Sequence, residues 1–413
     1  MKGKNKFFVI LILGLLSAIG PFSIDMYLPG FPGIAADLHT TVAHVSLSLS
    51  SFFIGIAFGQ LIYGPLLDRF GRKQPLYVGI SLYLLASLGC SMVSTVNELI
   101  ALRLLQALGG CAGMVASRAL VRDIFPVEEN AKIFSLLMLV IGVSPIIAPT
   151  SGGFIATHFG WKYIFIVLAV LAAFILIAMH FALPKGRKPD TGLSLKPKSI
   201  INNFLLVLKE PQFYTYSLTG SFAAAGLYAY ISGSPYVFME LYKITGQQYG
   251  FAFALIAIGL ITASQLNTVL LRRFKSEQII RIALLCQSCT GLTLCIGTIL
   301  GILNVYSMIA FIFIFLSCQG FTFPNSSALS LAPFTKNAGS ASALMGTLQM
   351  GIGTITSAAV SVLSNNTALP MTAIMFCCSL SAFIILLVGR KIICKKAALL
   401  QVEEQTAEML ITS

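Results

Sequence analysis

Long apolar stretches alternate with short polar ones along the whole chain, and each is near the ~20 residues a helix needs to cross a bilayer. Twelve stand out, at about 7–29, 43–67, 75–95, 97–118, 133–157, 161–183, 213–239, 248–271, 277–301, 304–325, 338–362 and 368–393. The pattern predicts an all-α integral membrane protein, because a helix satisfies its own backbone where no water can. The first stretch follows Lys2, Lys4 and Lys6 and so has the layout of a signal peptide. The spans behind it favour an uncleaved first helix.

The longest polar interval, 184–212, splits the spans six and six. It predicts an N-terminal six-helix bundle over 1–183, a cytoplasmic linker over 184–212, a C-terminal bundle over 213–393 and a cytoplasmic tail over 394–413. Within the linker, Ile200, Ile201, Phe204, Leu205 and Leu208 form one helical stripe, which predicts a short helix on the membrane surface. An internal echo supports the halving. LLDRFGRKQ (66–74) and LLRRFKSEQ (270–278) match at five of nine positions with an offset of 204. Repeats of this kind place one site between two bundles that rock against each other.

Composition agrees: 57% of residues are hydrophobic and 10% charged, against about 25% charged in soluble domains. The net charge of +13 is a topology signal. All Lys and Arg except Arg103, Lys162 and Lys243 fall in the tails and alternate loops of one face, which makes that face and both termini cytoplasmic. Such a distribution excludes a basic groove for nucleic acid. The nine Cys read as small packing residues, and His39, His44, His158 and His180 show no metal-ligand spacing. Neither a metal nor a cofactor is expected. No GxxxxGK[ST], HExxH or GxSxG occurs, so uphill transport would draw on an ion gradient.

Three segments carry a family resemblance. GPLLDRFGRK (64–73) resembles the loop signature of the major facilitator superfamily. The resemblance implies that Gly64 and Gly71 serve close approach and a tight turn. Asp68 then meets the N-terminal end of the eleventh helix, and Arg69 and Arg72 pair with Asp123. GVSPIIAPTSGG (142–153) resembles the motif of proton-driven exporters in that superfamily. There Gly142, Pro145, Pro149, Gly152 and Gly153 allow contact with the opposing bundle, although Ser144 and Ala148 stand where Gly is common. IDMYLPGFP (24–32), LYAYISGSPYVF (227–238), FPNSSALSLAP (323–333) and AGSASALMGTLQ (338–349) are similar to the bicyclomycin/chloramphenicol-resistance (Bcr/CflA) branch of drug:proton antiporters.

Asp25 is an acid inside an apolar run, where a charge costs roughly 3 kcal/mol on insertion scales. Counting at 1.5 Å per residue puts it about 6 Å inside the outer end of the first helix, and Arg103 about 7–8 Å inside on the fourth. Family members pack these helices together, so the resemblance implies a polar network shared by Asp25 and Arg103 that couples transport to protons. Tyr27, Tyr228, Tyr230, Asn325 and Gln349 lie in the resembling segments and are candidate cavity contacts. The expected function is proton-driven efflux of small amphipathic drugs across a bacterial inner membrane, by a monomer. A proton-coupled exporter or importer of a sugar or amino acid on the same fold stays open. A membrane receptor or enzyme without transport is disfavoured by the duplicated halves.

Overall fold

The computed structural model describes residues 3–184, 204–334 and 338–412. It contains twelve long helices and, among the described residues, no strand. They are α1 (Gly3–Asp25), α2 (Val42–Arg69), α3 (Lys73–Met92), α4 (Val96–Ile124), α5 (Val127–His158) and α6 (Lys162–Ala182) in the first half. The second half has α7 (Pro211–Pro235), α8 (Gly246–Leu270), α9 (Ser276–Ile299), α10 (Val305–Leu331), α11 (Ala338–Val362) and α12 (Leu369–Thr412). After α1 a tight turn at Leu28–Gly30 leads into a short helix, Phe31–Asp37. Pro29 and Pro32 explain the break, since proline removes a backbone donor and crowds the preceding turn.

The ends of these helices follow from local chemistry. Thr41, Thr95, Thr245 and Asn304 accept from the third backbone N–H of α2, α4, α8 and α10. Each cap satisfies one of the donors that a helix start leaves without an intrahelical partner. His44 lies within the first turn of α2, under the Thr41 cap. Gly71 takes a φ of 80°, the left-handed conformation that lets α2 turn into α3.

Packing divides the helices into two bundles. In the first, α4 lies between α2 and α1, with α3 against α4 and α6, and α5 against α1. In the second, α7 packs on α10, α11 and α12, and α10 also joins α8 and α9. The bundles meet along two main seams, α2 against α11 and α5 against α8. Eleven segments are long and apolar enough to cross a membrane. The twelfth helix, α7, is rich in Ser, Thr, Tyr and Gly, yet nearly all of it is buried by neighbouring helices. A helix shielded from lipid does not need an apolar surface.

Two expectations change. The linker residues 185–203 lie outside the described residues, so Ile200 and Ile201 are not placed. The helical turn at 204–208 buries Val207 and packs Phe204 against the cluster that includes Phe213, Ala341 and Leu344. Leu205 and Leu208, assigned to the same apolar stripe, are exposed. The turn is therefore anchored to the second bundle by a face offset from the expected one. At the C-terminus, the expected tail continues α12 as helix to Thr412.

Candidate functional site

Asp25 ends α1 and is 5% exposed. Among the described residues no hydrogen bond or ion pair reaches its carboxyl. Its electrostatic neighbours are Tyr230 on α7 and Tyr249 on α8, both in the second bundle. Tyr249 shares a 2.8 Å hydrogen bond with Ser234. The Tyr230 ring stacks on Phe253 at 5.5 Å, and its buried hydroxyl has no partner. A carboxyl from one bundle thus faces a tyrosine pair of the other.

Arg103 lies in a different enclosure. It is 0% exposed, donates to Gln106 Oε1 at 2.6 Å, and reaches the Ser23 carbonyl at 3.0 Å. Its guanidinium sits over the rings of Phe52 (4.1 Å) and Tyr27 (4.6 Å). Around it, Gln106 donates to Ser87, Ser23 bonds to Tyr83, and Tyr27 bonds to Ser48. The expected shared network with Asp25 does not form. Ser23 turns its hydroxyl toward α3, and Asp25, two residues on, points roughly 200° away around the helix. Tyr27, expected in the cavity wall, is instead a fully buried wall of the Arg103 box.

The outer ends of the bundles are closed by close backbone approach. A Cβ on Gly153 would stand 2.7 Å from the Gly246 carbonyl oxygen, and one on Gly250 would stand 2.9 Å from that of Pro149. At Gly152 the same position is filled by the Met26 carbonyl, next to Asp25. Gly142, deeper in α5, is in ordinary contact with Ile261 of α8 at 3.9 Å. Pro145 and Pro149 both stand inside α5. Gly142 and Gly153 therefore lie on the α5–α8 seam, whereas Gly152 packs on Met26 of its own bundle.

The other seam is sealed by serines that sequence reading missed. Ser50 bonds to Ser357 at 2.8 Å, Ser46 bonds to Ser361, and Ser232 of α7 donates to the Ser357 carbonyl at 3.1 Å. The signal was present as Ser-x3-Ser in both α2 and α11, the small-residue spacing that lets membrane helices approach. Inward of these pairs, the Tyr228 ring packs on Phe53 at 4.8 Å, and its hydroxyl donates to Met350 Sδ at 3.7 Å, beside Gln349. Gln60 then fills the space beside Gly346. One turn further in, no described atom lies within 4 Å of where Gly64 would carry a Cβ. Gly64 makes none of the close approach expected of it in this state.

At the cytoplasmic end, Arg72 holds two acids, Asp123 at 2.6 Å and Asp68 at 2.7 Å. Burial works to lower the Arg72 pKa, but its bonds to Asp123 and Asp68 outweigh burial and leave it raised. Asp68 is thus engaged by Arg72. The contact expected with the start of α11 falls where residues 335–337 lie outside the described chain. Arg69 lies over the Phe70 ring. Asn325, a further cavity candidate, is buried in the second bundle and donates to Asn267 Oδ1 at 2.6 Å. Of the five cavity candidates, Tyr228 and Gln349 meet at the seam, Tyr230 faces Asp25, and Tyr27 and Asn325 are internal to their own bundles.

The paired bundles, with a buried acid between them, have the architecture of a rocker-type membrane transporter. The Major Facilitator Superfamily model matches residues 13–358, and the chain belongs to that superfamily. It is 33% identical to the "Bicyclomycin resistance protein homolog" of Haemophilus influenzae, over 91% of this chain and 94% of that one. It is 34% identical to the "Uncharacterized MFS-type transporter YdgK" of Bacillus subtilis, over 91% and 93%. With the "Multidrug resistance protein MdtL" of Escherichia coli it shares 30% identity over 80% and 82%. Among solved structures, the xylose transporter XylE of E. coli matches with a TM-score of 0.71 at 12% identity, over 92% and 97%. A bacterial homologue of the lysosomal transporter Spinster matches with a TM-score of 0.68 at 13% identity, over 94% and 96%.

Proposed function

We propose that the chain exports small amphipathic drugs in exchange for protons, and that Asp25 is the acid that carries the proton. The observation behind this reading is the Asp25 carboxyl, enclosed between the bundles without a hydrogen bond or ion pair. Enclosing an ionised carboxylate unpaired costs several kcal/mol, and a proton removes that cost. The closed outer end therefore suits protonated Asp25. Parting the seams would expose the carboxyl to water, where the ionised form is stable.

Exchange follows from that linkage. A state that encloses Asp25 takes a proton with it, and a state that exposes Asp25 releases one. The names of the bicyclomycin- and multidrug-resistance relatives support drugs as the cargo. The Lys and Arg distribution supports both termini in the cytoplasm and a bacterial inner-membrane setting, where moving one charge is worth about 2.3 kcal/mol per 100 mV. The account needs a single chain, and the seam it uses lies between the two halves of that chain.

Proteoliposomes with an imposed pH gradient test the reading. Drug movement should follow the gradient in the unaltered protein, stop in Asp25→Asn, and persist in part in Asp25→Glu. Gradient-driven movement at the normal rate in Asp25→Asn would remove Asp25 from the mechanism. A panel in which sugars or amino acids move and drugs do not would replace the cargo.

A further inference from the structure

Arg118 is a charged residue that the account above does not use. The sequence reading set it among the cytoplasmic loop charges, but it stands on α4, six residues before the helix ends at Ile124, and its side chain is exposed. Among the described residues no carboxylate or hydrogen-bond acceptor pairs with it. A cation inside a spanning helix is expensive unless it faces a watery cavity or a partner.

Its neighbours on α4 fix where it points. Cys111 packs against Gly59 of α2, Met114 against Gly20 of α1, and Ser117 bonds to Ser17 of α1. Gly109 and Ala112 face α3, on the other side of the helix. Position 118, one turn beyond Met114 and two beyond Cys111, therefore falls between α1 and α2, on the face turned away from α3. Its depth follows as well. Gly55 meets Ala107 and Gly59 meets Cys111, and the same step puts Arg118 level with Leu66. That is just inward of Gly64, where no described atom lies within 4 Å of an added Cβ. Glu277 at the start of α9 already holds Arg390 at 3.0 Å, and Glu240 lies at the outer end near Lys243.

We propose that Arg118 is a recognition subsite of the inward-opening cavity, and that it takes an anionic oxygen group, such as a carboxylate, on the transported compound. The proposal rests on the transport reading above and names a chemical feature of the cargo. An arginine fork suits that group, because it offers two parallel donors to a carboxylate.

Equilibrium binding to the purified full chain tests this without any gradient, so its failure is distinct from a failure of proton coupling. The probes are 2-naphthoate, its methyl ester and 2-naphthylmethylammonium. Naphthoate should bind about tenfold more tightly than the ester, as a charge-assisted hydrogen bond allows. Arg118→Gln should erase that preference while leaving the ester unchanged, and Arg118→Lys should keep part of it. In inside-out vesicles, Arg118→Cys should gain labelling by a membrane-impermeant maleimide over the unaltered chain, and naphthoate should slow it. An unchanged naphthoate preference in Arg118→Gln, or no added labelling, would overturn the proposal. A preference abolished by phosphatidylglycerol in nanodiscs would assign Arg118 to a lipid phosphate, and would overturn it too.

Discussion

Arg103 and Asp25 are both charges buried toward the outer half of the first bundle, and they come within two residues of meeting at Ser23. Their surroundings are opposite in kind. Arg103 is held by Gln106, the Ser23 carbonyl and aromatic faces, all within its own bundle. Asp25 has no such bonds among the described residues, and its electrostatic neighbours Tyr230 and Tyr249 belong to the other bundle. A charge hydrogen-bonded inside one rigid unit, as Arg103 is through its terminal nitrogens though not its Nε, contributes to that unit's stability. An unsatisfied charge at a moving seam responds to motion of the seam. On the proposed reading the difference separates a structural cation from a working acid, although both look equally anomalous in an apolar run.

The largest expected effect tests the structural side. Arg103→Ala should destabilise the first bundle by about 3–5 kcal/mol, since it leaves a large void and orphans Gln106 and the Ser23 carbonyl. Thermal unfolding in detergent reads this. Asp25→Asn should show no such loss. Equal destabilisation by both changes would break the distinction. Arg103→Lys should fall between and impair transport, because a point charge cannot serve two acceptors and two ring faces together.

Next in size is the seal beside Asp25. Gly153→Ala puts a methyl 2.7 Å from the Gly246 carbonyl oxygen of the opposing bundle and should cost the closed-outside state about 1–3 kcal/mol. Cysteines at positions 46 and 361 report that state, and their cross-linking should drop sharply in the Gly153→Ala background. Undiminished cross-linking would mean that α5 does not govern the outer closure. The smallest effect belongs to the serine pair. Ser357→Ala should shift the same equilibrium by about 0.6 kcal/mol, the typical worth of a hydrogen bond between membrane helices, and leave efflux nearly intact. A complete loss of efflux would promote that pair from seal to machinery.

Much of the fold was legible because its signals are one-dimensional. Apolar runs and loop charge give the number of spans, their break at the linker and, by inference, their orientation. Asp25 was conspicuous because a carboxylate in such a run is costly. What remained hidden depends on rotation about a helix axis. Depth along α1 and α4 placed Asp25 and Arg103 side by side, but the turn between Ser23 and Asp25 sends them in opposite directions. The same ambiguity put Tyr27 and Asn325 in a cavity, whereas each faces inward within its own bundle. The serine spacings in α2 and α11 were readable, but their pairing across the seam needed both helices in view. The polar composition of α7 makes sense only once its burial is known.

The central claim is that enclosing Asp25 fixes a proton and that drug displaces it. Its most direct test is the proton count on drug addition to the purified protein in lightly buffered detergent, read with a pH indicator dye. Drug should release protons from the unaltered chain and none from Asp25→Asn, at equal drug binding. Equal release from both proteins would contradict the account.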